Sequence, residues 1–268
     1  MSAATFNTTV ADSATMIRRS YLRMRRYPTL TFALVLTPLV VLVLFVYVFG
    51  GAMGQGLGSL SGGRKAYLDY ILPGILLMGV ASSAQTTAIS VAKDMTEGII
   101  ARFRTMDIAR GSVLTGHVVG AWTQCMLALV VVALGAVGLG FRAHGGAGGW
   151  LGAAGILALI TFAVTWLAVG MGLAAKSVES SSNTPMILLL LLFFGSSFVP
   201  TATMPVGLRW FAQHQPFTPF NESVRGLLTG HVHGGDVIAT LAWCAGITVV
   251  SYIWSLRRYN RDPDRAVA

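Results

Sequence analysis

Residues 30–49 read LTFALVLTPLVVLVLFVYVF, an unbroken run without a charged side chain. A helix needs about 20 mainly apolar residues to cross the hydrocarbon core of a bilayer, and this run meets that length. A secretory signal core is shorter, roughly 7–15 apolar residues, so the run reads as a retained span. Working outward, five further apolar stretches follow at 71–92, 114–139, 150–175, 185–199 and 237–256, with Trp150 as an interfacial anchor. The predicted fold class is therefore an all-α membrane protein with six transmembrane helices.

Composition agrees. Hydrophobic residues make up 54% of the 268 and charged residues 11%, where a globular domain carries about 25% charged. A mean hydropathy of +0.68 leaves too little polar surface to cover a water-exposed globule. Disorder, a coiled coil and a disulfide-stapled fold are excluded. Cys125 and Cys244 both lie inside apolar runs and read as buried small hydrophobes, with no metal site implied. Only three of the nineteen basic residues are lysine, which with abundant Ala and Gly points to a bacterial, GC-rich genome.

The net charge of +9 sits in short basic clusters between apolar runs. That distribution suits topology and anionic lipid headgroups, and gives no sign of a nucleic-acid surface. One side carries Arg18, Arg19, Arg23, Arg25, Arg26, Lys93, Arg102, Arg104, Arg110, Lys176, Arg257, Arg258, Arg261 and Arg265. The other carries Arg64, Lys65, Arg142, Arg209 and Arg225. The positive-inside rule then puts both termini in the cytoplasm of a multi-pass cell-membrane protein. The chain divides into a tail at 1–28, a six-span domain at 29–256 and a second tail at 257–268.

Two segments are neither span nor simple loop. Ala14 to Tyr27 places Ile17, Tyr21 and Met24 on one face and Arg19, Arg23 and Arg26 on another, an amphipathic helix along the headgroups that Pro28 ends. Residues 200–236, on the outer side, combine Pro200, Pro205, Pro216 and Pro219 with many aromatic and aliphatic residues. They read as short broken helices re-entering the outer leaflet, where irregular backbone must be covered by protein.

Polar residues within the spans are few. Ser82, Ser83, Gln85, Thr86, Thr87 and Ser90 form a stripe in the second span that faces either another helix or a substrate cavity. His117 and Gln124 in the third span either line the same pathway or bond between helices. Gly116 with Gly120, and Gly148 with Gly152, have the spacing that lets helices approach closely. His231, His233 and Asp236 read as a solvated turn.

The cytoplasmic loop at 93–110 is the most informative: Lys93-Asp94-Met95-Thr96-Glu97-Gly98-Ile99-Ile100-Ala101-Arg102-Phe103-Arg104-Thr105-Met106-Asp107. Thr96 can cap a short helix, and the carboxylates precede the arginines in the order its dipole favours. Ile99, Ile100 and Phe103 form an apolar face framed by both charge signs, suited to a groove on a partner or to a lipid surface.

Asp94, Glu97, Gly98, Arg102 and Arg104 resemble the coupling segment of ABC-2 type exporter permeases. The outer run Phe198-Val199-Pro200-x3-Met204-Pro205-x2-Leu208, followed by Gln215-Pro216-x-Thr218-Pro219 and Arg225-x-Leu227-Leu228-x-Gly230, is similar to the Pro-rich signature of that family. The wording is closest to its daunorubicin-resistance-type subgroup, and the resemblance covers nearly the whole chain. Many relatives have a proline where this chain has Met106-Asp107.

The resemblance implies a half-transporter. Two permeases, identical or paralogous, would pair with two copies of a separate ABC ATPase that binds ATP and magnesium, and this chain would bind no cofactor. Asp94, Glu97, Gly98, Ile100, Arg102, Phe103 and Arg104 would contact the ATPase. The cargo would be a hydrophobic drug or secondary metabolite, or alternatively a lipid-linked polymer. The residues agree about nucleotide. Leu60-Ser61-Gly62-Gly63-Arg64 looks like the LSGGQ signature of ABC-type ATPases but sits in a Gly-rich outer linker. Gly170 to Ser177 misses the P-loop pattern, with Ala175 before Lys176. An ion-coupled carrier would need an ionisable residue within a span, and no Asp, Glu, Lys or Arg lies within the six. A membrane-embedded enzyme would need a polar catalytic cluster at depth.

Overall fold

The computed structural model describes residues 28–51, 63–97, 110–175 and 177–261, with positions 15, 18, 21, 22 and 26. Among the described residues every regular element is helical. The chain runs through α1 (Pro28–Leu44), which widens into π turns over Phe45–Phe49, then α2 (Gly63–Thr96), α3 (Arg110–Gly138) and α4 (Gly146–Ala174). Short helices follow: α5 (Val178–Asn183), α6 (Met186–Phe193), a 3-10 turn at Thr201–Thr203, α7 (Val206–His214) and α8 (Phe217–Thr229). The last is the long α9 (Gly234–Arg261).

Five stretches are long and apolar enough to cross a membrane: Thr31–Phe49, Gly63–Thr96, Leu114–Gly138, Gly146–Ala174 and Gly234–Tyr259. The sixth apolar stretch, Val178–Phe193, is shorter. Its break has a local cause: Thr184 keeps helical φ and ψ, but Pro185 has no N–H to continue the i→i−4 ladder, and the next amides, of Ile187 and Leu188, bond back only three residues. Upstream, Ala175 turns extended, and Ser177 restarts the chain through a reciprocal capping box with Ser180. Within the fifth span that the sequence predicts at 185–199, the structure places one short helix, Met186–Phe193, followed by turns, while α5 lies just before it.

α2 and α4 are the buried pair at the centre. α2 packs against α1, α3, α4, α5, α6 and α8, and α4 also meets α3, α8 and α9. Leu72, Ile75, Leu76, Val80, Ile160 and Val164 anchor the main core between them. Close approach depends on missing side chains: a Cβ on Gly172 would lie 2.6 Å from the Ala88 carbonyl oxygen, and one on Gly170 2.6 Å from the Trp254 ring. α1, α3 and α9 instead expose apolar faces, among them Phe32, Val40, Leu134, Ile238 and Val250. Such faces suit a hydrocarbon surround.

The predicted amphipathic helix over 14–27 lies mostly outside the described residues. Those that are described are helical, and the Tyr21 hydroxyl donates to Thr123 Oγ1 of α3 at 3.2 Å. The Gly148–Gly152 pair divides. Nothing lies within 4 Å of a Cβ on Gly148, whereas Gly152 is filled by Leu227. The stripe that α8 occupies is Gly145, Gly149 and Gly152; Cβ atoms on the first two would collide with the Leu227 carbonyl oxygen. α8 ends at Gly230, whose φ of 82° is the left-handed geometry glycine adopts without strain.

Candidate functional site

Polar side chains gather at the two ends of α2 and along one of its faces. At its C-terminal end Asp94 points inward, 3% exposed, and its Oδ2 lies 3.2 Å from His117 Nε2 of α3. Val91, Leu114, Val118, Trp166, Val169 and Tyr259 form the apolar cluster at this end. Lys93 and Glu97 point outward and pair at 3.6 Å, one helical turn apart. Thr96, in the last turn of α2, donates its hydroxyl to the Lys93 carbonyl at 3.1 Å; the short helix that the sequence expects it to cap lies outside the described residues. Of the predicted partner-contact residues, Asp94 and Glu97 are described; Gly98, Ile100, Arg102, Phe103 and Arg104 lie outside the described residues. Asp94 presents no carboxylate to the outside, while Glu97 does.

The polar stripe of α2 splits across the helix. Ser83 and Thr87 are buried, and Thr86 and Thr87 donate to the Ser83 carbonyl at 2.9 and 2.8 Å. That local bond satisfies both hydroxyls within the helix. Ser82, Gln85, Thr86 and Ser90 fall on a half-buried face with Met78 and Ile89. Gln85 reaches across to α5, donating to the Ser182 carbonyl at 3.0 Å. Gln124 is remote from this face and donates to Thr31 Oγ1 of α1 at 2.8 Å. His117 is joined to Asp94 rather than to the stripe. The six predicted pathway residues therefore belong to four separate places.

The Pro-rich signature builds the opposite end. Pro200 precedes the 3-10 turn and accepts from Thr203, and Pro205 precedes α7, accepting from the Arg209 amide at 2.8 Å. Both have the fixed φ that suits a helix entry. The Met204 carbonyl accepts from Arg209 at 3.1 Å. Gln215 folds over the start of α8, accepting from the Phe217 amide at 3.0 Å, with Pro216 before the first turn and Pro219 buried inside it.

Arg225 ties this end together. Its guanidinium pairs with Glu222 at 2.6 Å, donates to the Ser196 carbonyl at 2.8 Å and to the Tyr70 carbonyl at 3.2 Å. The group lies 3.9 Å from the centre of the Tyr70 ring, within cation–π reach. Asn221 and Tyr70 each also donate to the Ser196 carbonyl, at 3.0 Å. Tyr70, Ser196 and Asn221 were not singled out by the sequence. A tyrosine at the outer end of a span and a small-residue turn before the proline run were the only signals available.

Among the described residues no three His, Cys, Asp or Glu side chains gather to hold a metal ion. The chemistry on offer is positioning: buried polar ties at each end of a central helix, with a half-open polar face between them.

Residues 13–229 match the ABC-2 type transporter family. The chain belongs to that family. It is 30% identical over 254 residues to the daunorubicin resistance ABC transporter permease protein DrrB1 of Streptomyces coeruleorubidus, covering 94% of this chain and 87% of that one. It is 26% identical to the doxorubicin resistance ABC transporter permease protein DrrB of Mycobacterium tuberculosis, covering 92% and 90%. To the inner membrane transport permease YadH of Escherichia coli it is 24% identical, covering 84% and 87%. This ABC-2 chain is a multi-pass membrane protein with bacterial relatives. The ABC-2 match takes in both the Asp94–His117 pair and the Arg225 tie, and stops before α9.

Proposed function

We propose that this chain is the permease subunit of an ATP-driven exporter that moves a hydrophobic drug or secondary metabolite out of a bacterial cell. Similarity to a daunorubicin resistance permease over 94% of the chain carries the reading. ATP and magnesium bind a separate ABC ATPase, present in two copies, which docks on the cytoplasmic loop at 93–110. A second permease, identical or paralogous, completes the pathway, and lipid surrounds the pair.

The structural features support this division of labour. Glu97 stands outward at the start of the loop, as an ATPase contact requires. Ser82, Gln85, Thr86 and Ser90 offer hydrogen-bonding groups on an otherwise apolar face, a lining suited to a mainly apolar cargo with a few polar atoms. The Pro-rich helices cover the outer end of the bundle.

Affinity purification from native membranes tests the proposal. The expected result is a stoichiometric ABC ATPase whose hydrolysis rate changes when hydrophobic drugs are added. Recovery of the chain alone, under several mild detergents, would overturn it in favour of an ATP-independent carrier. Hydrolysis that answers to a lipid-linked polymer but to no drug would reassign the cargo.

A further inference from the structure

Asp94 lies in the last turn of α2 and His117 lies early in α3, so their contact closes the base of the loop that joins the two helices. The side chains are 4% and 12% exposed, so the contact is shielded from water. Leu114, Val118, Trp166 and Val169 surround this end with apolar atoms. A carboxylate taken out of water is costly unless it is paired and hydrogen-bonded. Sliding or spreading α2 against α3 would break this shielded contact between the two helices. The neighbouring pair, Lys93 with Glu97, has no such effect: it lies within one helix and is about half exposed.

A force applied to the loop between two helices can be absorbed in two ways. Either the helices shear past one another, or they shift as one body. A buried bond across the loop's base removes the first option at that point.

We infer that the Asp94–His117 pair is a positioning clamp that makes α2 and α3 move together when a partner subunit pushes on the loop between them. The inference rests on the reading of that loop as the ATPase's docking element. It gives Asp94 and His117 one shared task, in place of an outward contact for the first and a cargo contact for the second.

The test uses the full chain with its co-purified ATPase in lipid vesicles. Single variants Asp94→Asn and His117→Gln are compared with the exchanged pair Asp94→His/His117→Asp. The clamp predicts that each single variant keeps its membrane level, its recovered ATPase and its hydrolysis rate. Drug moved per ATP hydrolysed falls about tenfold, within the usual range for coupling between sites, and the exchanged pair regains most of it. A wild-type transport-to-hydrolysis ratio in the single variants, or an exchanged pair no better than they are, overturns the clamp.

A second measurement needs no partner. Spin labels at Thr96→Cys and Arg110→Cys report the separation of the two helix ends, the native Cys125 and Cys244 being buried. His117→Gln should broaden that distance distribution; an unchanged distribution overturns the clamp. If the wild-type chain brings down no ATPase, the proposed function fails while the label distances still decide the clamp.

Discussion

The guanidinium of Arg225 lies 3.9 Å above the ring of Tyr70 and bonds the carbonyl oxygens of Tyr70 and Ser196 at the same time. One side chain from α8 thereby holds the start of α2 and the turn after α6. Its removal leaves the Glu222 carboxylate without that partner and takes one donor from each of two carbonyls, of which the Ser196 oxygen keeps those of Tyr70 and Asn221. Hydrogen bonds to charged groups contribute about 1.5–3 kcal/mol each where they are shielded. Arg225→Met is therefore expected to lose on the order of 2 kcal/mol, read as a clear drop in the thermal unfolding midpoint in detergent. Arg225→Lys should recover little, because an ammonium cannot bond two divergent carbonyls while lying flat on a ring. A midpoint equal to wild type in Arg225→Met would contradict this role.

Gly148 and Gly149 make a paired test of helix packing. A Cβ at Gly149 meets the Leu227 carbonyl oxygen, and one at Gly148 meets nothing within 4 Å. Gly149→Ala should cost about 1–3 kcal/mol by pushing α8 off α4, as overpacking does. Gly148→Ala should stay within about 0.5 kcal/mol of wild type, as surface changes do. Equal melting of the two variants would show that α8 does not sit in this stripe.

Glu97 is outward-facing and bound only weakly within the chain, because an exposed i, i+4 pair contributes about 0.3–0.5 kcal/mol. Glu97→Arg should therefore insert and fold normally. Transport should be lost while ATP hydrolysis by the partner continues uncoupled. Wild-type transport in this variant would remove Glu97 from the docking element.

Ser82 and Gln124 separate lining from packing. Gln124 bonds Thr31 across two helices, a tie worth about 0.6 kcal/mol on average in membranes. Gln124→Leu should lower stability by about that much and leave the cargo's apparent affinity unchanged. Ser82→Leu, on the half-open face, should do the reverse. Drug-stimulated hydrolysis measured against concentration, alongside a melt, reads both; identical behaviour of the two variants would defeat the distinction.

How far the sequence carries differs from element to element. The apolar run at 30–49 is legible because length and charge alone decide it. The ends of α2 are not: hydropathy stops the span at 71, yet the helix starts at Gly63 and carries Lys65 and Asp69 on its outer turns. Helical bonding does not end where apolarity ends. The fifth apolar stretch is legible as the leucine-rich run Met186–Phe193, but apolarity alone does not show that regular helix stops at Phe193 and that turns carry the chain on to Pro200.

The site shows the same boundary. The Pro-rich run is legible as broken helices because proline acts on its own backbone. The pairing of Asp94 with His117 is not, because the two lie on different helices joined by a loop and no periodicity relates them. Inward-turned Asp94 and outward-turned Glu97 are only three positions apart. Their division depends on which way α2 is rotated against α3 and α4, a tertiary property. The same rotation separates Ser83 from Ser82.

α2 has 34 residues in one run, about 51 Å at 1.5 Å per residue, with Pro73 near its outer end. The Arg225 tie grips one end and the Asp94–His117 contact the other. It is therefore a lever arm longer than the hydrocarbon layer it crosses. Pivoted at its middle, a tilt of only ~5° carries each end of such a helix by ~2 Å, enough to exchange one set of hydrogen bonds for another. A stroke delivered to the clamped α2 and α3 at Asp94 would reach Tyr70 in the opposite direction.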